Sequence, residues 1–397
     1  AMYGGGLSLV SYSTVEMDNV TISGNVADAG AGIYAEGDSF LSITDSTISQ
    51  NVADDDNHCG GGGGFYFDDV AADLSNVTIS DNSAVLMGGG GYFGRSTTTL
   101  DATTISNNAA ATSKGGGFGG GLGVYDCSTT FASVTCTSNT AEWAGGGLFI
   151  ESSTLSFDEG QVSYNKANIS SDSSSKSSIS EGSYGAGIYF TNTEATLDDV
   201  EINSNEASII GYGAGVYAEH SMLALTNVDV SYNDALTGIS NEPDQNKEQI
   251  QMKLAALGGG VMAYGTKIKW DGGELTGNTS EDFGGAIYAD QSQLRASDLI
   301  LSSNTTVNGG GGIYAASSGI ELTDSTIESN STTAVKGRGG GAYFAKSSSA
   351  AFDGVTIEDN ESNEGAGLVA EDATIQMEQV VLQGNTATTS GGALSTN

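Results

Sequence analysis

An asparagine returns along this chain at a nearly fixed interval, at Asn25, Asn51, Asn82, Asn108, Asn139, Asn165, Asn205, Asn233, Asn278, Asn304, Asn330, Asn360 and Asn385. Self-similarity at such a period is the mark of a solenoid, and it must be settled before any other reading of fold. Other columns travel with it. Three residues before each Asn stands an apolar residue (Ile22, Ile48, Cys136, Leu275, Ile357), and eight before it another (Met17, Ile43, Trp270). Two after it comes Ala, Ser or Thr. Upstream, a G-[GA]-[GA] triplet leads into an apolar residue, as at Gly32-Ile33, Gly147-Leu148 and Gly312-Ile313.

Within one copy the apolar residues alternate. Val15, Met17, Val20 and Ile22 face one way, Glu16, Thr21 and Ser23 the other. That is the period of a β-strand. Asx and Gly residues between the short runs, such as Asp18-Asn19, Asp45, Asn76 and Asp353-Gly354, are turn formers. Each copy therefore supplies three short strands and three turns. The expected fold is all-β: a right-handed, single-stranded, three-sided parallel β-helix of about thirteen rungs over residues 1–397, right-handed because parallel crossovers nearly always are. A ladder of inward Asn side chains would pair backbone groups left at the turns. The unbroken repeat at both ends reads as a piece of a longer chain, each end meeting further protein, either the same polypeptide or a neighbouring subunit.

Insertions fall between an Asn and the next glycine triplet, the longest at 166–184 and 234–257. In the second, Asn241-Glu242-Pro243, then Ile250, Leu254 and Leu257, then Gly258 read as a short capped helix. Loops gathered on one edge of a solenoid often form its recognition surface.

Composition limits the partners. With 49 acidic and 12 basic residues the net charge is −37, which repels nucleic acid and anionic membrane surfaces. No apolar run approaches the roughly 20 residues of a membrane-spanning helix. Cations, glycans and basic protein surfaces remain. Of the three cysteines, Cys136 stands in an apolar column and reads as a small core residue, while Cys59 and Cys127 either pair or stay free.

The two motifs of each copy, G-G-[AG]-[ILV] and [ILVC]-x-x-N, resemble the paired GGAI and FxxN repeats of the chlamydial polymorphic membrane proteins. GGAI itself occurs at Gly284-Gly285-Ala286-Ile287, whereas no copy carries Phe three residues before the Asn. The resemblance implies a surface-displayed or secreted, often adhesive, β-helix carried in that family by a β-barrel translocator.

An aromatic row follows the triplets: Tyr34, Tyr66, Phe93, Phe149, Tyr189, Tyr217, Tyr288, Tyr314 and Tyr343. Placed outward by alternation, it is a candidate binding face for sugar rings or a partner chain, or else a stack serving the fold alone. Thr21/Ser23, Thr47/Ser49, Thr78/Ser80, Thr104/Ser106 and Thr135/Thr137 form an outward hydroxyl array of the kind seen in ice-binding solenoids. Acidic turns (Asp198, Asp199 and Glu201; Asp54, Asp55 and Asp56) offer oxygen ligands to Ca2+, although solvated turns explain them as well.

A glycan-active β-helix needs carboxylates beside an Arg, Lys or His in one cleft. Here His58 and His220 lie in different rungs and Arg95, Arg295 and Arg338 are scattered. Seven N-x-S/T sequons occur. Those at Asn278, Asn304, Asn330 and Asn360 belong to the ladder, which leaves Asn19, Asn76 and Asn168 as candidate glycosylation sites. The expected function is a non-enzymatic extracellular or cell-surface rod, structural or adhesive. A polysaccharide lyase or glycoside hydrolase is the second reading, and an ice-binding protein the third.

Overall fold

The computed structural model describes residues 1–54, 61–111, 117–168, 182–237 and 255–396. They form an all-β, right-handed parallel solenoid of about twelve turns, with no helix among the described residues. Two compact units are distinguished, one reaching Glu201 and the other continuing from Ile202.

A turn of the first unit shows how the sequence makes the coil. Leu122–Tyr125, Ser128–Ala132, Thr135–Thr137 and Thr140–Ala141 are its four strands. Each lies parallel to its counterpart one turn earlier: Thr97–Asp101 pairs with Ser128–Ala132, and Thr104–Ser106 with Thr135–Thr137. The two-residue fourth strand, just after each Asn, was not counted among the expected three. It forms a separate ladder, Ala84↔Ala110↔Ala141, and the small-residue column is its inward position. The second unit repeats the plan with Ile287–Asp290, Gln293–Ser297, Ile300–Ser302 and Thr305–Thr306.

Inward positions are closed off almost completely. In one turn Ile33, Ala35, Leu41, Ile43, Ile48 and Ala53 are all at most 1% exposed. Phe65, Phe67, Phe93, Phe131, Phe157 and Phe190 supply the bulk of the first unit's core. Side chains of this size, wholly buried, each contribute roughly 1.5–3 kcal/mol of transfer free energy.

Most corners are single residues in left-handed backbone conformation, and a few, such as Ser11-Tyr12 and Lys346-Ser347, are pairs. Asn19, Asp45 and Asn76 occupy one such corner at φ 54°, 50° and 54°, a region that Asn and Asp enter at less cost than other side chains. The corner before the core strand accepts glycine alone. A Cβ on Gly62 (φ 67°) would stand 2.0 Å from the carbonyl oxygen of Phe65. Left-handed geometry by itself therefore does not demand glycine; the folded-back carbonyl does.

Two insertion boundaries move. Lys166–Asn168 and Asp234–Leu236 are strands of the coil, paired with Thr140–Ala141 and Glu206–Ser208 respectively. Of the expected short helix, residues 241–254 lie outside the described residues. Leu257, assigned to its apolar stripe, instead bridges Phe283 in the coil.

Candidate functional site

The asparagine column is a continuous hydrogen-bonded ladder within each unit. Asn51 donates from its backbone N–H and its Nδ2, each at 3.0 Å, to Oδ1 of Asn82. Its Nδ2 also donates to the Ile22 carbonyl at 3.0 Å. In the second unit Asn304 Oδ1 accepts from Asn278 N and Nδ2, while its own Nδ2 donates to Leu275 O (2.8 Å) and Asn330 Oδ1 (2.9 Å). Each amide thus satisfies the backbone N–H of the preceding Asn and adds a bond to a carbonyl of the strand before the bend. Asn108, Asn139, Asn165, Asn205, Asn233 and Asn360 are likewise buried; Asn25 and Asn385 are half-buried.

A second polar corner carries no invariant residue and was not singled out in the sequence. Val70 N donates to Ser96 Oγ (3.1 Å), Ser96 N to Cys127 Sγ (3.2 Å) and Cys127 N to Ser153 Oγ (3.0 Å). Thr266, Ser292 and Ser318 repeat it in the second unit. Cys127 is a free thiol acting as a serine, its Sγ donating to Tyr125 O. Burial pushes that thiol up to about 11. Cys136 is free and fully buried, and Cys59 lies outside the described residues.

The aromatic row is covered rather than open. Tyr34, Phe149, Tyr217, Tyr288, Tyr314 and Tyr343 are 5–8% exposed, Tyr66 and Tyr189 half-buried. Rings stack on one another, with centroids 5.4 Å apart for Tyr34–Tyr66 and 5.0 Å for Phe149–Tyr189. Tyr3, Phe118 and Phe283 pack against Tyr34, Phe149 and Tyr314. Phe93 is a correction: it points inward and is 0% exposed, with Tyr92 standing opposite Tyr66 in its place. The run Gly88–Gly91 contains one glycine too many, and a one-residue slip in register reverses every side chain. Gly91 occupies the apolar slot because the Phe65 ring fills it; a Cβ there would lie 2.0 Å from Phe65 Cζ.

The hydroxyl array does stack in register, Thr21↔Thr47↔Thr78↔Thr104↔Thr135. Asn19, Asn76 and Asn168 are exposed, whereas Asn278, Asn304, Asn330 and Asn360 are 0% exposed. Glu201 and Asp199 are exposed and Asp198 half-buried; among the described residues no three acidic, His or Cys side chains converge on a metal-sized point. Asp55, Asp56 and His58 lie outside the described residues, and His220 faces Glu219 at 3.7 Å.

The three arginines lie in different turns, but none stands alone. Each meets an acid about one repeat away, Arg95 with Asp68, Arg295 with Glu321 and Arg338 with Glu364, at separations of 27, 26 and 26 residues. Opposite charges one period apart are stacked neighbours, a signal available in the sequence and missed there.

Two of these pairs sit in polar clusters. Arg338 bonds both oxygens of Glu364 (3.2 and 3.1 Å), Glu371 Oε2 (2.7 Å) and the Tyr343 hydroxyl (3.2 Å), while the Tyr343 hydroxyl donates to Glu371. Burial, then the bond to Glu371, pushes the Tyr343 phenol up to about 12. Asp68 gives one oxygen to Arg95, and its Oδ1 is buried with no partner among the described residues. Burial raises the Asp68 carboxyl against the lowering effect of Arg95.

The right-handed β-helix region model matches residues 5–184 and 259–396. No curated protein matches the chain. Among solved structures, PfbA, a surface adhesin of Streptococcus pneumoniae, is 10% identical over 96% of this chain and 86% of its own, with a TM-score of 0.31. The receptor-binding domain of the siphovirus 9NA tailspike is 9% identical over 94% of this chain and 72% of its own, with a TM-score of 0.22. The matched repeats, inward ladder and parallel register place the chain in the right-handed β-helix family.

Proposed function

We propose that this chain is a non-enzymatic, extracellular or cell-surface solenoid whose work is binding, as an adhesive or structural element. The observation that carries this reading is the state of Arg338. Its guanidinium is already held by two carboxylates and a phenol of its own chain. A lyase or hydrolase needs a base or acid free to exchange a proton with substrate, and a phenol pushed to about 12 is a poor base at neutral pH. Exposure of Asn19, Asn76 and Asn168, against burial of the ladder sequons, fits a secreted glycoprotein.

The glycan-active reading draws support from the same cluster, because two carboxylates and a cation do meet there. Two measurements separate the readings. Fluorescently labelled chain should adhere to cell or polysaccharide-coated surfaces without releasing reducing ends. Release of reducing ends that disappears in Glu371→Gln would replace the adhesive reading with the enzymatic one. After expression through a eukaryotic secretory pathway, peptide mass spectrometry should find sugar at Asn19, Asn76 or Asn168 and none at Asn304.

A further inference from the structure

The second strand of each turn carries two outward positions, and on this face of the coil the cations stand in one place. Lys267 and Lys269 hold those positions in one turn, Gln293 and Arg295 in the next, paired Lys267↔Gln293 and Lys269↔Arg295. Every other turn fills them with neutral residues or acids, such as Thr97 and Thr99, Ser128 and Thr130, Met222 and Ala224, or Gly319 and Glu321. All three cations are exposed. Lys269 and Arg295 lie on strands about 4.8 Å apart, and like charges directly opposite one another destabilise a sheet. A chain with 49 acids and 12 bases has ample means to avoid that opposition, yet keeps it. Its own acids do little to relieve it. Lys267 and Lys269 make no ion pair among the described residues. Glu321 engages Nε and Nη2 of Arg295 in an exposed pair, leaving Nη1 to an outside acceptor.

The net charge of −37 opposes a long polyanion, and a second copy of this acidic chain as well. Beyond about 8 Å, however, exposed charges are largely screened at physiological ionic strength. A short ligand touching the patch therefore meets its three cations rather than the surrounding acids. Beside them the exposed Gln293 amide offers both a donor and an acceptor, and Met222, 50% exposed and opposite Lys267, offers apolar surface. Cations for an anionic group, an amide for hydroxyls and an apolar side chain for a ring match an acidic sugar. A planar carboxylate suits a single bidentate arginine, whereas a sulfate ester presents three diverging oxygens, one toward each cation.

We infer that Lys267, Lys269 and Arg295 form a binding site for a sulfate ester on a short glycan. Lys269 and Arg295 hold it between adjacent turns, Lys267 closes the third side, and Gln293 takes a neighbouring hydroxyl. The inference rests on the adhesive reading and names its ligand class.

The test titrates the full chain with oligosaccharides of a sulfated galactan, with the same oligosaccharides desulfated, with trigalacturonate and with hexaglutamate peptide. Wild type should bind the sulfated sugar best, less tightly as salt is added, and the desulfated one not at all. Lys269→Gln and Arg295→Gln should each weaken binding about tenfold. Lys269→Gln should also hold or raise the melting temperature, since it removes the opposed charges. Lys346→Gln, a cation at a different corner, should change neither. No binding of the sulfated sugar overturns the inference, as does equal binding by Lys269→Gln or of the desulfated sugar. Preference for trigalacturonate or hexaglutamate, or self-association that Lys269→Gln abolishes, overturns it in favour of a carboxylate ligand or an acidic protein surface. Surface adhesion retained in full by the Lys269→Gln, Arg295→Gln double variant would sink this site and leave the adhesive reading standing.

Discussion

Asp68 and Glu371 hold equivalent places in their turns, one residue past the second inward position of the core strand, yet the clusters around them differ in kind. Around Glu371 every strong donor of Arg338 has an acceptor, and that side chain is only 22% exposed. Around Asp68 the arginine is 57% exposed and half of the carboxylate is unpaired. A satisfied network fixes neighbouring turns to each other, whereas a half-satisfied one retains free energy that an outside group can recover. The same repeat slot thus carries a satisfied network in one unit and a half-satisfied one in the other.

Both clusters stand on the ladder, so the strength of that frame sets the scale of the comparison. Asn304→Ala removes four hydrogen bonds and leaves the Asn278 N–H buried without its acceptor. The expected cost is about 2–4 kcal/mol by denaturant titration; a change near zero would mean the amides merely fill space. Next in size, Arg338→Ala should cost about 2 kcal/mol, since Glu364 and Glu371 both lose their cation. Arg95→Ala should cost less than about 1 kcal/mol, as exposed pairs do. Equal losses from the two arginines would erase the distinction between the satisfied cluster and the half-satisfied one.

Acid sharpens the contrast. Burial raises the carboxyls of Asp68, Glu151, Asp234 and Asp282. A raised folded-state value means the native chain holds protons that the unfolded chain has released, so stability falls as pH rises from about 4 through the raised values. The melting temperature should therefore climb on mild acidification from neutral pH, and Asp68→Asn should flatten part of that slope. The smallest effect is expected at Cys127. Replacement by Ser keeps both corner bonds and should shift stability by no more than about 0.5 kcal/mol. Its thiol, pushed up to about 11, should resist iodoacetamide at pH 8 until the chain unfolds.

Much of this molecule was legible in the order of its residues. The Asn period, the alternation and the glycine triplets specify a parallel coil and its inward face, because each column must repeat the same local geometry to stack on itself. The same logic distinguishes buried sequons from exposed ones. It failed at Phe93, where a fourth glycine made the register ambiguous by one residue and only the Phe65 ring decides which glycine takes the apolar slot. The aromatic row, directed outward by alternation and open between a binding face and a stack serving the fold, stacks ring on ring, with Tyr3, Phe118 and Phe283 packed against Tyr34, Phe149 and Tyr314. Alternation reports which way a side chain leaves the strand, not what later folds over it. The clusters are of that second kind. The sequence by itself determined that Arg95 and Asp68 stand about one period apart, but the tertiary structure alone decided that one oxygen of that carboxylate meets Arg95 while the other is buried against Tyr92 and Gly94. Hydrogen-bond satisfaction depends on atoms about 3 Å apart, a distance that no column of letters encodes.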